Sequence, residues 1–137
     1  MKHLLLFLTF LTFYSCKTTE SLIYYSEFRF INETDSTFFI TGYNQNRLNI
    51  DLKVNPTATT TISKEYEHTP LNPGQFFDSD SIEVKLINGK KLIYSWNRPS
   101  PTKDYLGNGL GWSESKVDEN HYIYSYTFTQ EHIDSAR

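Results

Sequence analysis

Residues 48–54, LNIDLKV, place Leu48, Ile50, Leu52 and Val54 on one side of an extended chain and Asn49, Asp51 and Lys53 on the other. A period of two is the strand period, and a strand with one apolar face belongs in an antiparallel sheet with one side covered. The pattern recurs over 24–31, where Phe28 and Phe30 share a face and Glu27 and Arg29 look outward. Residues 38–43 form a further strand, and 121–129 set Tyr122, Tyr124, Tyr126 and Phe128 on one face. Polar clusters separate these runs: Asn32, Glu33, Thr34, Asp35 and Ser36, then Asn44, Gln45, Asn46 and Arg47. Asn and Asp side chains bond their own backbone two residues on, so both clusters read as turns. Ten Tyr and ten Phe favour strands, whereas the strong helix formers are scarce, with only two Ala and the initiator Met. After Pro56, the Thr-rich run 57–66 reads as a weaker strand at a sheet edge, and 67–80, with Pro70, Pro73 and Gly74, as a loop.

The hairpin at 81–96 carries the most local information. Asn88 and Gly89 mark the turn, but two registers compete. A two-residue loop pairs Ile87 with Lys90 and sets Leu92, Tyr94 and Trp96 on the face of Glu83 and Lys85. A three-residue loop of Ile87, Asn88 and Gly89 pairs Leu86 with Lys90 and aligns Ile82, Val84 and Leu86 with Leu92, Tyr94 and Trp96. A one-residue slip exchanges the faces, so the segregated register is expected, with a type I turn and Gly89 at positive φ in a bulge.

Residues 97–120 hold Pro99, Pro101, Gly107, Gly109 and Gly111 among Tyr105, Leu110 and Trp112, and read as a long, partly packed loop. Thr129 is placed to cap a short helical turn running to Ala136. Seven strands result, with no helix long enough to cross between parallel strands. The expected fold is all-β: an antiparallel β-sandwich, Ig-like or similar, or an open barrel.

The amino terminus gives an address. Lys2 and His3 precede an apolar run over 4–14 broken only by Thr9 and Thr12, the layout of a secretory signal. Eleven residues are too few to cross a bilayer, which takes roughly 20. The sole cysteine, Cys16, follows Ser15 and Phe13 where a lipobox places its thiol, with Tyr14 in place of the usual small residue. This resembles a bacterial lipoprotein signal, which implies a signal peptide over 1–15, a lipidated tether over 16–22 and one β domain over 23–137; the alternative is an ordinary signal peptide that happens to contain a cysteine and is cut elsewhere. Removal of Lys2 with the signal takes the net charge from −3 to about −4. That excess of acid gives no basis for nucleic-acid binding. Attachment to the membrane through acylated Cys16 is expected, each buried methylene adding about 0.8 kcal/mol. The localisation is then the cell envelope, at the outer membrane, with the periplasmic or surface face left open.

The runs FRFINETDS, NPTATTT, DSDSIEVKLINGKKLIYSW and YIYSYTFTQEHIDSA resemble a group of small uncharacterised envelope lipoproteins of Gram-negative, Bacteroidetes-like bacteria. The likeness covers nearly the whole chain after the signal and includes a Tyr-Thr-Phe-Thr ending at residues 126–129. It implies export, lipidation, by palmitate or a similar chain, and a β fold. It carries no catalytic residue onto this sequence.

Reactive constellations are sparse. His68, His121 and His132 lie far apart, which reads as scattered surface histidines and no metal site. Asp78, Asp80 and Glu83 imitate the start of a calcium loop, but Glu83 stands where that loop needs Gly. Gly107, Gly109 and Gly111 imitate a phosphate loop without the helix such a loop feeds. No cofactor is expected. Two readings of function follow. In the first, a non-catalytic module binds an envelope protein or a glycan through Trp112 and Tyr105 on the long loop. In the second, a small envelope hydrolase uses the loop carboxylates Asp104 and Glu114.

Overall fold

The computed structural model describes residues 21–95, 100–102, 105–107 and 109–137. Cys16, Trp96 and Asp104 therefore lie outside the described residues, as do the signal run and most of the tether. In chain order the elements are β1 (Ile23–Asn32), β2 (Phe38–Asn44), β3 (Arg47–Val54), β4 (Thr59–Glu67), α1 (Pro73–Phe77), β5 (Ser81–Leu86), β6 (Lys91–Ser95), β7 (Trp112–Asp118), β8 (His121–Phe128) and α2 (Gln130–Ser135). Two four-stranded sheets face each other, ordered β4-β1-β8-β7 and β3-β2-β5-β6. The fold is an all-β sandwich, not a closed barrel.

The two inner faces are built from the alternating residues of the sequence. Phe28 and Phe30 on β1, Phe38 and Ile40 on β2, Val84 on β5, and Tyr126 and Phe128 on β8 are all fully buried. Across the sandwich the Phe38 and Phe128 rings stack with centroids 4.5 Å apart, and Phe28 stacks on Tyr124 at 5.5 Å within its own sheet. Each such ring contributes about 1.5–3 kcal/mol by leaving water. Well-oriented pairs add about 0.5–1.5 kcal/mol.

The hairpin takes the segregated register: Ile82 opposes Tyr94 and Val84 opposes Leu92. Leu86 N–H donates to Lys90 O at 2.8 Å, Gly89 N–H returns to Leu86 O at 3.0 Å, and Gly89 has φ +87°. The Asn32 turn also forms, its side-chain oxygen accepting the Thr34 amide at 2.9 Å.

Four expectations are corrected. There are eight strands among the described residues, because 112–118, read as loop, pairs along β8 from Trp112↔Tyr126 to Asp118↔His121. That strand is exposed beyond Trp112 and has no apolar alternation to announce it. Within the loop 67–80, α1 forms from a capping box: Asn72 Oδ1 accepts the Gln75 amide and Gln75 Oε1 accepts the Asn72 amide, with Pro73 at the first turn. The sheets are not wholly antiparallel, since β1 runs parallel to β8 from Tyr25↔His121 to Asn32↔Phe128. The remainder of the chain serves as their crossover. Leu48, finally, is 59% exposed. The β2–β3 register shifts so that Gly42 opposes Ile50 while Tyr43 opposes Leu48, leaving Asn49 extra. Asn49 Nδ2 then donates to Phe77 O at 2.6 Å, an end carbonyl of α1, so the bulge turns Leu48 outward to hold a helix terminus.

Gly89→Ala is expected to lower stability by about 1–2 kcal/mol, because a Cβ at positive φ is strained although nothing lies within 4 Å of it. Phe128→Ala should cost about 3–5 kcal/mol. Urea midpoints separate the two, and equal losses would contradict the turn geometry.

Candidate functional site

The long-loop aromatics come together by a tight reversal over 105–112. Tyr105 N–H donates to Leu110 O at 3.0 Å, Trp112 N–H donates to Gly109 O at 3.2 Å, and Gly109 and Gly111 both have positive φ. Leu106 is driven into the core with no exposure. The Trp112 indole N–H donates to Leu106 O at 2.9 Å, and its ring meets Phe30 at 5.4 Å and Tyr126 at 5.3 Å. Tyr105 packs edge-on against Tyr94 at 5.7 Å, and burial raises its phenol pKa. Neither ring stands on an open platform as the sequence suggested. Trp112 is a half-buried plug between the sheets, and Tyr105 braces the strand next to it.

One side of Trp112 does border a shallow cleft of about 310 Å³, with Asn72, Pro73, Gly109, Glu114 and Tyr124. Glu114 lies opposite Tyr124 in the β7–β8 ladder. Tyr124 is buried, and its pKa is raised first by burial, then by the charges of Glu114 and Tyr122. No histidine lines this cleft. A carboxylate beside a protonated phenol can accept hydrogen bonds from a bound hydroxyl or amide, and the phenol can donate one.

The histidines are occupied elsewhere. His132 is not on the surface: it is 3% exposed. Its Nδ1 accepts the Thr129 amide at 3.1 Å, so the neutral ring carries its proton on Nε2, 3.0 Å from the Tyr126 hydroxyl. Tyr126 continues to Tyr94 at 3.5 Å, and Tyr94 to Thr102 at 3.2 Å. This buried chain holds α2 and the 100–102 segment against the inner faces. Tyr126 was legible as a core residue, but its hydroxyl demands a partner, and that demand is the only hint the sequence held of His132 burial.

His121 lies on the outer face of the first sheet, its Nε2 3.0 Å from Glu27 Oε1. Arg29 donates to the other Glu27 oxygen at 2.9 Å. The Arg29 hydrogen bond holds the Glu27 carboxyl below the usual glutamate range, against a smaller opposing effect of burial and with help from His121. Thr61 and Ser63 on β4 and Ser125 on β8 flank this group through the strand registers, with Ile123 opposite Glu27. Another concavity, about 530 Å³, lies at the start of β1 and the end of β4, lined by Ile23, Glu65, Tyr66, Glu67 and His68. Among the described residues no three His, Cys, Asp or Glu side chains cluster as metal ligands.

No family model matches this chain, and comparisons with curated proteins and with solved structures return no match.

Trp112→Ala is expected to cost about 3 kcal/mol, as a large aromatic truncation does. Trp112→Phe should cost about 1 kcal/mol through the indole N–H. Thermal melts check the order, and an unchanged melting temperature for Trp112→Ala would return this ring to the surface. For Glu27, the sign follows from a lowered carboxyl pKa. Its contribution, under about 1 kcal/mol for a partly exposed pair, is present above pH 4.5, the ordinary value, and is lost as pH falls through the lower folded value. The stability gap between wild type and Glu27→Gln should therefore be open at pH 7 and narrow as the pH is lowered below 4.5; a gap that widens on acidification would reverse the assignment.

Proposed function

We propose that this chain is an exported lipoprotein, anchored through acylated Cys16, whose β-sandwich has a non-catalytic binding or structural role at the cell envelope. The observation that carries the reading is the one cysteine of the chain, placed at the end of an apolar run too short to span a bilayer and followed by polar Lys17, Thr18, Thr19 and Glu20. A lone exported thiol has no intramolecular disulfide partner, and acylation gives it a use. The sandwich is consistent with this role. Its first strand starts at Ile23, seven positions after Cys16, so a short stretch leads directly from the lipid to the fold. The outer membrane is the membrane we favour, and a protein or glycan of the envelope is the partner.

In this reading the hydroxyl-bearing outer face of β4, β1 and β8, centred on Glu27, Arg29 and His121, is the polar surface a partner meets. It lies apart from Trp112 and Tyr105, which are half-buried. Such a face offers donors and acceptors in register at a repeat of two residues, suited to a flat polar partner.

The test is the anchor. Cys16→Ser should abolish incorporation of labelled fatty acid and move the protein from the membrane fraction to the soluble one. A Cys16→Ser protein that still sediments with membranes would sink the reading.

A further inference from the structure

The end of the first sheet where β1 begins exposes several apolar side chains. Leu22 is 56% exposed, Ile23 43%, Tyr25 46% and Tyr66 51%. By register Ile23 and Tyr25 oppose Glu67 and Glu65 on the outer face, while Tyr66 opposes Tyr24 on the other face, so the exposed apolar side chains flank the sheet end on both sides. Two further contacts close the end. His68 N–H donates to Leu22 O at 3.0 Å, and Tyr25 N–H to Asn120 O at 2.8 Å, which brings in the turn after β7. Val117 on that strand is 57% exposed. The strand order therefore spreads Tyr66, Ile23, Tyr25 and Val117 across the full width of the sheet at one end.

We infer that this end is a membrane-docking surface and that its occupant is the headgroup region of a zwitterionic phospholipid bilayer. The inference rests on the lipid anchor at Cys16. Six residues separate Cys16 from Ile23, so even a fully extended tether keeps Ile23 within about 25 Å of the acylated residue. The opposite end of the sandwich, with the Asn32 turn and Thr57, is a whole strand length further away. Tyr rings are apolar bodies with a polar tip and settle at the depth of lipid headgroups, while Leu22 and Ile23 reach slightly deeper. The same end bears the carboxylates Glu65, Glu67, Asp118 and Glu119 against the cations Lys64 and Lys116. The net excess of acid opposes deep insertion and disfavours anionic lipid, so the seating is shallow and the surface zwitterionic. Five exposed side chains would hold a free domain weakly. A short tether supplies a high effective concentration, and the weak contact is then populated. Docking fixes the orientation of the module, with β1 rising from the membrane and its outer face accessible from the side.

The experiment uses the full-length acylated protein in phosphatidylethanolamine–phosphatidylcholine vesicles, with hydrogen exchange read by mass spectrometry. Amides in 22–25, 64–68 and 116–120 should exchange roughly tenfold more slowly than in soluble Cys16→Ser protein, while 33–37 and 55–58 at the far end match between the two. Ile23→Ser with Tyr66→Ser should erase the protection on vesicles and leave exchange in β2, β5 and β6 unchanged, which shows that the variant is folded. Adding phosphatidylglycerol should reduce the protection. If wild type is in the vesicle fraction and the tip exchanges as in Cys16→Ser, the docking surface is overturned and the anchor stands. If Cys16→Ser cofractionates with vesicles equally well, the anchor fails and the inference with it.

Discussion

The parallel pairing of the first strand with the last organises this molecule. Eight registered pairs from Tyr25↔His121 to Asn32↔Phe128 join segments almost a hundred residues apart. Because β1 sits between β4 and β8, its inner residues Phe28 and Phe30 become the middle of the core, and the rest of the fold is arranged to cover them. Closing so long a loop is costly in chain entropy, though the cost grows only slowly with length. The return is a continuous aromatic face. Phe28, Phe30, Tyr124, Tyr126 and Phe128 lie side by side, and no two adjacent strands of the sequence would present them together.

That face is wider than the opposing sheet alone can seal, and three irregular pieces complete the seal. The segment before α1 is tied down by Ser26, a buried hydroxyl on the inner face whose Oγ accepts the Leu71 amide at 3.0 Å. It delivers Phe76 onto Phe28 with centroids 4.1 Å apart and Phe77 into the core. From the other side the 105–112 reversal inserts Leu106 and Trp112. At the carboxyl end α2 presents His132 to Tyr126, and Arg137 and Lys91 exchange backbone hydrogen bonds, which pairs part of the β6 edge. Residues with the look of a functional loop are thereby committed to packing. The outer sheet face around Glu27 and the sheet end at Ile23 and Tyr66 keep exposed side chains.

Where local pattern and burial coincide, the sequence was readable. Residues 24–31, 38–43, 81–86 and 121–128 show alternation because each has one covered face, and the Leu86–Lys90 register followed because only one slip segregates the faces. Trp112–Asp118 was unreadable for the opposite reason: an edge strand lying mostly in water has no apolar period to reveal it. Asn72 and Gln75 do form a capping signature, but Pro70, Pro73 and Gly74 around them read as punctuation and masked a five-residue helix. Leu48 fitted its alternation and still faces solvent, since one extra residue, recruited to bond α1, reverses every side chain beyond it.

Strand identity, turn chemistry and the export-like amino terminus are properties of neighbouring residues, and the order of residues alone determined them. Which strands pair, that the first lies parallel to the last, that Trp112 is half-buried and that His132 is interior were decided only in the tertiary structure. These depend on contacts between distant segments, where a ring or a hydroxyl finds its partner by shape and by the need to satisfy buried polar atoms. Composition records that such groups exist; only the folded arrangement matches each of them to another.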